Sequence, residues 1–417
     1  MSGLYDELQW RGLVHQVTDP ELPKILDNDS LTVYIGFDPT ADSLHVGHLL
    51  QMCTLRRLQQ AGHRPISLAG GGTGMIGDPG GRSEERNLLT REQLLANLEA
   101  IRGQLGRFLD FEAGAQLLDN GAWLWELGLL DFLRDIGKHF TVNQMVAKES
   151  VKARLEEREH GISFTEFSYM LLQAYDFLRL FDDHGCRLQM GGSDQWGNIT
   201  MGVDLIRKLR GEQAYGLTSP LVLKADGTKF GKTASGAVWL DRDKTSPYAF
   251  YQYFVRTEDA VVGQYLRFFT WLSRDEIEAL DEATAAAPER REAQRVLARE
   301  VTALVHGDDE AAKAERAAAV LFTDEVASLD EQTLLDVFAD APTTTAAVGV
   351  SLVDVLVDAG LSKSKGEARR ALQQRGVYVN GVQQSEDRPL TAGDTLHGRF
   401  LVVRRGKREQ ALVSLTA

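Results

Sequence analysis

The order in which strand-like and helix-like segments follow one another constrains this chain more than any other feature. Leu31 to Asp38 alternates cleanly, with Leu31, Val33, Ile35 and Phe37 on one face and Thr32, Tyr34, Gly36 and Asp38 on the other. A helix is predicted from about Gly47 to Ala61, stopping at Gly62, and a second apolar strand, Pro65 to Leu68, runs into a glycine-rich stretch from Gly70 to Gly77. Further on, a helix opens with Ser163-x-x-Glu166 and ends before Gly185; the strand Cys186 to Met190 follows, then a helix opening at Ser193-Asp194. Strands alternating with helices in this way predict an α/β fold on a parallel sheet.

The 417 residues suggest two to four domains with ample core. No basic-then-apolar leader opens the chain, and no run is long enough to span a bilayer. Two cysteines, Cys53 and Cys186, fit a reducing compartment, so a cytoplasmic location is expected. The net charge of −14 argues against a generic nucleic-acid coat but hides an asymmetry. From Ser351 onward 11 Lys and Arg face 7 Asp and Glu, a net +4 that leaves −18 on the remainder. A small basic module on an acidic body is a candidate polyanion contact. The pattern from about Ser246 to Phe322 is helical, and Thr323 to Val350 reads as a linker. The tail then resumes with a helix from Leu352 to Ala359, a basic helix near Ser364 to Gln374 capped by Gly376, and a hairpin turning at Asn380-Gly381.

Two separated segments carry the chemistry. His45-Val46-Gly47-His48 opens a helix, where free amide donors suit a polyphosphate, and its histidines share a face with glycine between them. Taken alone, the pair fits a solvated helix start equally well. Lys229-Phe230-Gly231-Lys232-Thr233 is a cationic turn between strand-like runs at Leu217–Leu223 and Ala237–Leu240, suited to phosphates that gain charge during displacement. It is not a P-loop, because Asp226 stands where that motif needs glycine. Gly72-x-Gly74-x-x-Gly77 matches the dinucleotide fingerprint, but Asp78-Pro79-Gly80-Gly81 forbids the helix that motif requires. Asp78, Arg82 and Arg86 instead suggest a second mobile arm. On the helix from Ser163, Tyr169, Gln173 and Asp176 form one polar stripe, which internal hydrogen bonding or a ligand can satisfy. Tyr34 and Asp38 offer a matching polar face. Asp182-Asp183-His184 reads as a polar turn rather than a metal site.

Together these segments resemble the bacterial tyrosyl branch of the class I aminoacyl-tRNA synthetases over nearly the whole chain. His45 to His48 stands for the family's HIGH motif, Lys229 to Thr233 for its KMSKS loop, and Gly191-Gly192-Ser193-Asp194-Gln195 for its nucleoside-binding segment. The tail resembles a ribosomal-protein RNA-binding module. The resemblance implies a Rossmann-like catalytic domain over 1–222 with a dimerisation insertion near 123–160, a lysine-loop and helical domain over 223–322, a linker over 323–350 and an RNA-binding domain over 351–417. It implies activation of L-tyrosine with ATP, its magnesium carried by ATP and no tightly bound cofactor, then transfer to tRNA(Tyr) by a homodimer without a membrane partner. A tryptophanyl enzyme and an inactive RNA-binding relative are the alternatives. By resemblance Tyr34 and Asp176 bond the phenol, with Asp38 beside them. Asp78, Tyr169 and Gln173 hold the ammonium, and Gln195 the carboxylate region. Thr40 and His45 contact the γ-phosphate, and Arg82, Arg86, Lys229 and Lys232 close over pyrophosphate. Gly36, Gly47, His48, Gly192 and Asp194 line the nucleoside. Lys363, Lys365, Arg369 and Arg370 are expected on tRNA phosphates, and Lys148, Lys152 and Arg154 near its acceptor arm. Thr233 in place of the usual loop serine, and Arg82 where lysine is common, are departures.

Overall fold

The computed structural model describes residues 3–78, 89–148, 151–152, 155, 161–228, 230–233, 236–320, 326–339, 341–406 and 409–416, with Lys232 and Thr233 described through their backbone alone. Two compact units emerge, one of Met1–Lys244 with Thr257–Ala293, the other of Thr245–Arg256 with Gln294–Ala417.

The first unit is built on a six-stranded sheet: β1 (Gln16–Val17), β2 (Thr32–Phe37), β3 (Arg64–Ala69), β4 (Gln116–Asp119), β5 (Cys186–Gly192) and β6 (Tyr215–Ser219). Their spatial order is β1-β6-β5-β2-β3-β4, with β1 antiparallel to β6 and every other pair parallel. The alternation in β2 puts Thr32, Tyr34 and Gly36 on one face and Val33, Ile35 and Phe37 on the other, and neither face is left to solvent as a whole. Thr32, Val33, Tyr34, Ile35 and Phe37 are all buried, and of the strand Gly36 alone is exposed. A parallel sheet carries helices on both faces, so both sets of side chains leave water. The predicted helices form over Val46–Gln60, Phe164–His184 and Trp196–Arg210, the last preceded by a 3₁₀ turn at Ser193–Gln195. Ser163 Oγ accepts the Glu166 amide, and Gly185 ends that helix in the left-handed conformation at φ 60°. The glycine-rich stretch forms only a 3₁₀ turn, Thr73–Met75, and starts no α-helix.

Helices Asp259–Phe269 and Arg274–Ala286 belong to this unit, so the expected boundary at 222/223 is not a structural one. Buried Arg57 explains their attachment: it donates to the Phe268 and Thr270 carbonyls at 3.0 and 2.6 Å, satisfying groups at a helix C-terminus.

The second unit holds a five-stranded sheet in the order β11-β10-β12-β13-β9, from β9 (Thr343–Ala347), β10 (Val377–Val379), β11 (Val382–Gln384), β12 (Phe400–Arg405) and β13 (Glu409–Thr416). Strand β9, expected as linker, pairs in parallel with β13, because Thr343 to Ala347 completes a sheet edge that β13 would otherwise expose. Leu352, Leu356, Leu372, Val377, Val403 and Val413 pack one core of this unit. Helix Lys365–Gln373 ends with Arg375, not Gly376, in the left-handed region at φ 57°. At the β10–β11 hairpin Asn380 and Gly381 take φ 47° and 82°, the two positive values its tight turn requires.

Candidate functional site

The histidine helix is capped by its own motif. His45 Nδ1 accepts the Gly47 amide at 3.0 Å, and His48 Nδ1 accepts the His45 amide at 3.2 Å. With both Nδ1 atoms accepting, each neutral ring carries its proton on Nε2 and offers a donor. The imidazoles stack with centroids 4.1 Å apart. A Cβ on Gly47 would lie 2.7 Å from His45 Cε1, so only glycine allows this stack.

The lysine turn meets the same helix. The hairpin of β7 (Lys232–Thr233) and β8 (Gly236–Ala237) continues into backbone bonds with the histidine segment. Val46 N donates to Val238 O at 3.0 Å, and Leu240 N to Leu44 O at 2.9 Å. Gly231, at φ 84°, lies so close that a Cβ there would sit 2.7 Å from Val46 Cγ2 and 3.3 Å from Gly47 N. The two signature segments, more than 180 residues apart in sequence, are therefore neighbours. Arg82, Arg86 and Lys229 lie outside the described residues, and of Lys232 only the backbone is described. Thr40 is exposed on the connection from β2, its amide donating to Asp38 O at 2.8 Å.

Beside this grip lies a polar pocket at the carboxyl ends of the parallel strands, where open α/β sheets bind ligands. Asp38 Oδ1 accepts from Thr73 Oγ1 at 2.9 Å and Oδ2 from Tyr169 Oη at 3.0 Å. Gly70 permits this, since a Cβ there would collide with Asp38 Oδ1 at 2.1 Å. Asp176, 2% exposed, accepts from Asn120 Nδ2 at 2.8 Å and from Trp123 Nε1 at 2.7 Å. Burial pushes its carboxyl up to about 7, against the pull of those two donors toward the ionised form. Tyr34 stands opposite, its ring 5.4 Å from Phe177 and its buried hydroxyl without a hydrogen-bond partner. Burial first, and Asp176 second, raise that phenol well above its usual value. An orphaned buried hydroxyl costs about 1–3 kcal/mol, which a ligand hydroxyl can recover.

A second network borders the first. Gln195 Nε2 donates to Asp78 Oδ2 at 2.5 Å, while Gln195 Oε1 accepts from Gln173 Nε2 and Asn198 Nδ2, each at 3.2 Å. Asn198 also donates to Gln173 Oε1 at 3.0 Å. Asp194 is exposed just beyond β5, and Gly192 leaves it room, since a Cβ would come within 2.5 Å of Asp194 Oδ1. Gly36 faces open space, and Phe37 places its ring 6.4 Å from that of His48, so the pocket and the grip adjoin.

The fold links Asp38, Tyr169 and Asp176 through Thr73 and Asn120 into one hydrogen-bond network, with the Tyr34 ring beside it, and Asp78, Gln173 and Gln195 into another. Thr73, Asn120, Trp123 and Asn198 were missed. Asn120 directly follows β4, a strand end of the kind that builds such sites, while Asn198 is three residues past Gln195; neither spacing stands out in a sequence. Asp182 and Asp183 are ion-paired to Arg210 and Arg179 at 2.6 and 2.7 Å. Among the described residues no cluster of three or more His, Cys, Asp or Glu could hold a metal. Half-buried Lys148 donates to Thr200 Oγ1 at 2.8 Å, and burial lowers its amine from the usual value. Lys152 is exposed, and Arg154 lies outside the described residues. In the tail Lys363, Arg369 and Arg370 are exposed, and Lys365 pairs with Asp354 at 2.7 Å.

The model of the tRNA synthetases class I (W and Y) matches residues 26–323. This chain belongs to that family. A second model, of the tyrosine–tRNA ligase SYY-like C-terminal domain, matches residues 333–413, which include the strand expected as linker. The chain is 56% identical to the tyrosine–tRNA ligase of Roseiflexus castenholzii over all of both chains, and 55% to that of Geobacillus stearothermophilus over 98% and 99% of them. Its structure is similar to a C-terminally truncated mitochondrial tyrosyl-tRNA synthetase of Aspergillus nidulans, with TM-score 0.69 and 34% identity over 77% of this chain and 95% of that one.

Proposed function

We propose that this class I synthetase is a tyrosine–tRNA ligase. The observation that carries the reading is the partnerless Tyr34 hydroxyl facing Asp176, at the end of a site whose other end joins the histidine pair to the lysine turn. A phenol donates to Asp176 and accepts from Tyr34, satisfying both. The indole of tryptophan has a donor but no acceptor and leaves Tyr34 orphaned, so the tryptophanyl alternative is disfavoured.

In the first step a carboxylate oxygen of tyrosine attacks the α-phosphorus of ATP. The bond from that phosphorus to the bridging oxygen breaks, and pyrophosphate leaves. The nucleophile is already ionised, so catalysis is positioning and charge stabilisation. Asp78, Tyr169 and Gln173 hold the ammonium. Gln195 orients the carboxylate end. His48, Gly192 and Asp194 hold the ribose, with Gly36 and Gly47 giving the nucleotide close backbone approach. Thr40 and His45 take the γ-phosphate, while Arg82, Arg86, Lys229 and Lys232 neutralise the departing pyrophosphate. Magnesium arrives with the nucleotide. In the second step the terminal ribose hydroxyl of tRNA attacks the adenylate carbonyl and AMP leaves.

Lys363, Lys365, Arg369 and Arg370 bind tRNA phosphates in this reading, and Lys148, Lys152 and Arg154 approach the acceptor arm. Exposed Leu129 (70%), Leu130 (79%), Val142 (62%) and Phe164 (79%) support a homodimer seated on and beside the insertion. Two buried free thiols, Cys53 and Cys186, support a cytoplasmic location.

Pyrophosphate exchange run against all twenty amino acids tests the reading. Tyrosine alone should support exchange; exchange with tryptophan, or none at all, overturns it.

A further inference from the structure

The connection that carries Thr40 and His45 is held from outside by a helix to which no role has been given. That helix, Arg91–Leu105, lays two amides two turns apart on one face against the connection. Asn97 Nδ2 donates to Pro39 O at 2.9 Å near its start. Gln104 clasps its end: Oε1 accepts the Leu44 amide at 2.8 Å and Nε2 donates to Ser43 Oγ at 3.0 Å. The amide orientation follows from chemistry, since the Leu44 N–H needs an acceptor. Ser43 Oγ also receives the Asp241 amide at 3.2 Å, and Leu240 N donates to Leu44 O at 2.9 Å. Gln104, Ser43 and Leu44 are all at most 8% exposed, so water cannot replace these bonds. Three segments meet here: the helix, the residues just before His45, and the strand returning from the lysine turn.

We infer that Gln104 is a positioning residue for ATP activation, registering the return strand of the lysine turn against the foot of the histidine helix through Ser43 and Leu44. This rests on the ligase reading of the site. Gln104 touches no substrate; it fixes the spacing of two cationic elements that must reach one triphosphate together. A misplacement of about 1 Å at such elements costs on the order of 100-fold in rate. The tyrosine pocket is built on Tyr34, Tyr169, Gln173 and Asp176, none of which this clasp contacts, so its loss should separate ATP chemistry from tyrosine binding.

The test uses the full chain, with tyrosine-dependent pyrophosphate exchange, calorimetric tyrosine binding and thermal melting. Gln104→Met keeps the volume and removes both bonds. It should lower the exchange kcat by about tenfold or more and raise KM for ATP, with the tyrosine Kd within about twofold. Gln104→Glu, which keeps an acceptor for the Leu44 amide, should recover part of that loss. Ser43→Ala should shift kcat in the same direction, and the double variant should be no worse than Gln104→Met alone. Should Gln104→Met not fold, Ser43→Ala carries the test with the same kcat loss and unchanged tyrosine Kd. Unchanged exchange in the folded variants, strictly additive losses, or a tyrosine Kd that worsens in step with KM for ATP overturns the inference. No exchange by the unaltered chain overturns the ligase reading, and this inference with it.

Discussion

The indole of Trp123 donates to the Asp176 carboxylate at 2.7 Å, across 53 positions of sequence, and so helps hold a buried charge beside the Tyr34 hydroxyl. Asn120 donates to the other oxygen at 2.8 Å. Each bond favours the ionised form, yet burial still leaves the carboxyl near 7.

Tyrosine binding should therefore weaken as pH falls through about 7, because the protonated acid is a poorer acceptor for a phenol. Trp123→Phe removes one donor to the carboxylate and should move that midpoint upward by about one to two pH units, since a bond to a charged group is worth about 1.5–3 kcal/mol. Calorimetric titration of tyrosine between acid and alkaline pH reads both effects. A Kd that does not respond to pH would remove Asp176 as the phenol's acceptor.

Tyr34→Phe should reduce discrimination against phenylalanine more than it reduces tyrosine turnover. The variant deletes a hydroxyl that phenylalanine leaves orphaned, so the penalty on the wrong substrate disappears. A loss of selectivity of about tenfold is expected from one neutral hydrogen bond. Competitive exchange with the two amino acids measures it, and undiminished selectivity would exclude the role.

Gly231→Val should cripple activation while sparing tyrosine binding. Its φ of 84° costs a branched residue about 1–3 kcal/mol, and its new Cβ would stand 2.7 Å from Val46 Cγ2. The lysine turn must then lift from the histidine helix. Single-turnover adenylate formation should slow by about tenfold or more, with the tyrosine Kd preserved. Full activity in this variant would mean the contact is incidental.

His63 should make the chain less stable in mild acid. It is 3% exposed and its Nδ1 accepts the Leu31 amide at 3.2 Å, at the foot of β2. Burial pulls the imidazole below its usual 6.5, so the folded state disfavours the charged ring. The stabilisation is present above about 6.5 and is lost as pH falls through the lowered folded value. His63→Gln should flatten the drop in melting temperature between about pH 7.5 and 5.5. An identical slope in both proteins would assign the acid sensitivity elsewhere.

Much of the site was legible along the chain. The Tyr169, Gln173 and Asp176 stripe is one helix face, and the Ser163 and Gly185 caps bound that helix where their chemistry places them. Strand β9 was not legible: Thr343 to Ala347 is short, small and polar, and only the exposed edge of β13 makes it a strand. The alternation of β2 marked the strand and the face that carries Tyr34 and Asp38, but not that both faces are buried, because covering helices take both sets of side chains out of water.

By itself, the sequence determined the pieces whose causes act within a few residues: the His45 cap, the glycine at 47 that lets two imidazoles stack, and the positive-φ glycine of the lysine turn. Only tertiary structure decided which donors reach Asp176, that Gly231 lies against Gly47, and that Gln104 clasps Ser43 and Leu44 from 60 residues away. These contacts depend on strand order and helix placement, which settle when the whole sheet buries its faces at once, and no local pattern encodes a distance across it.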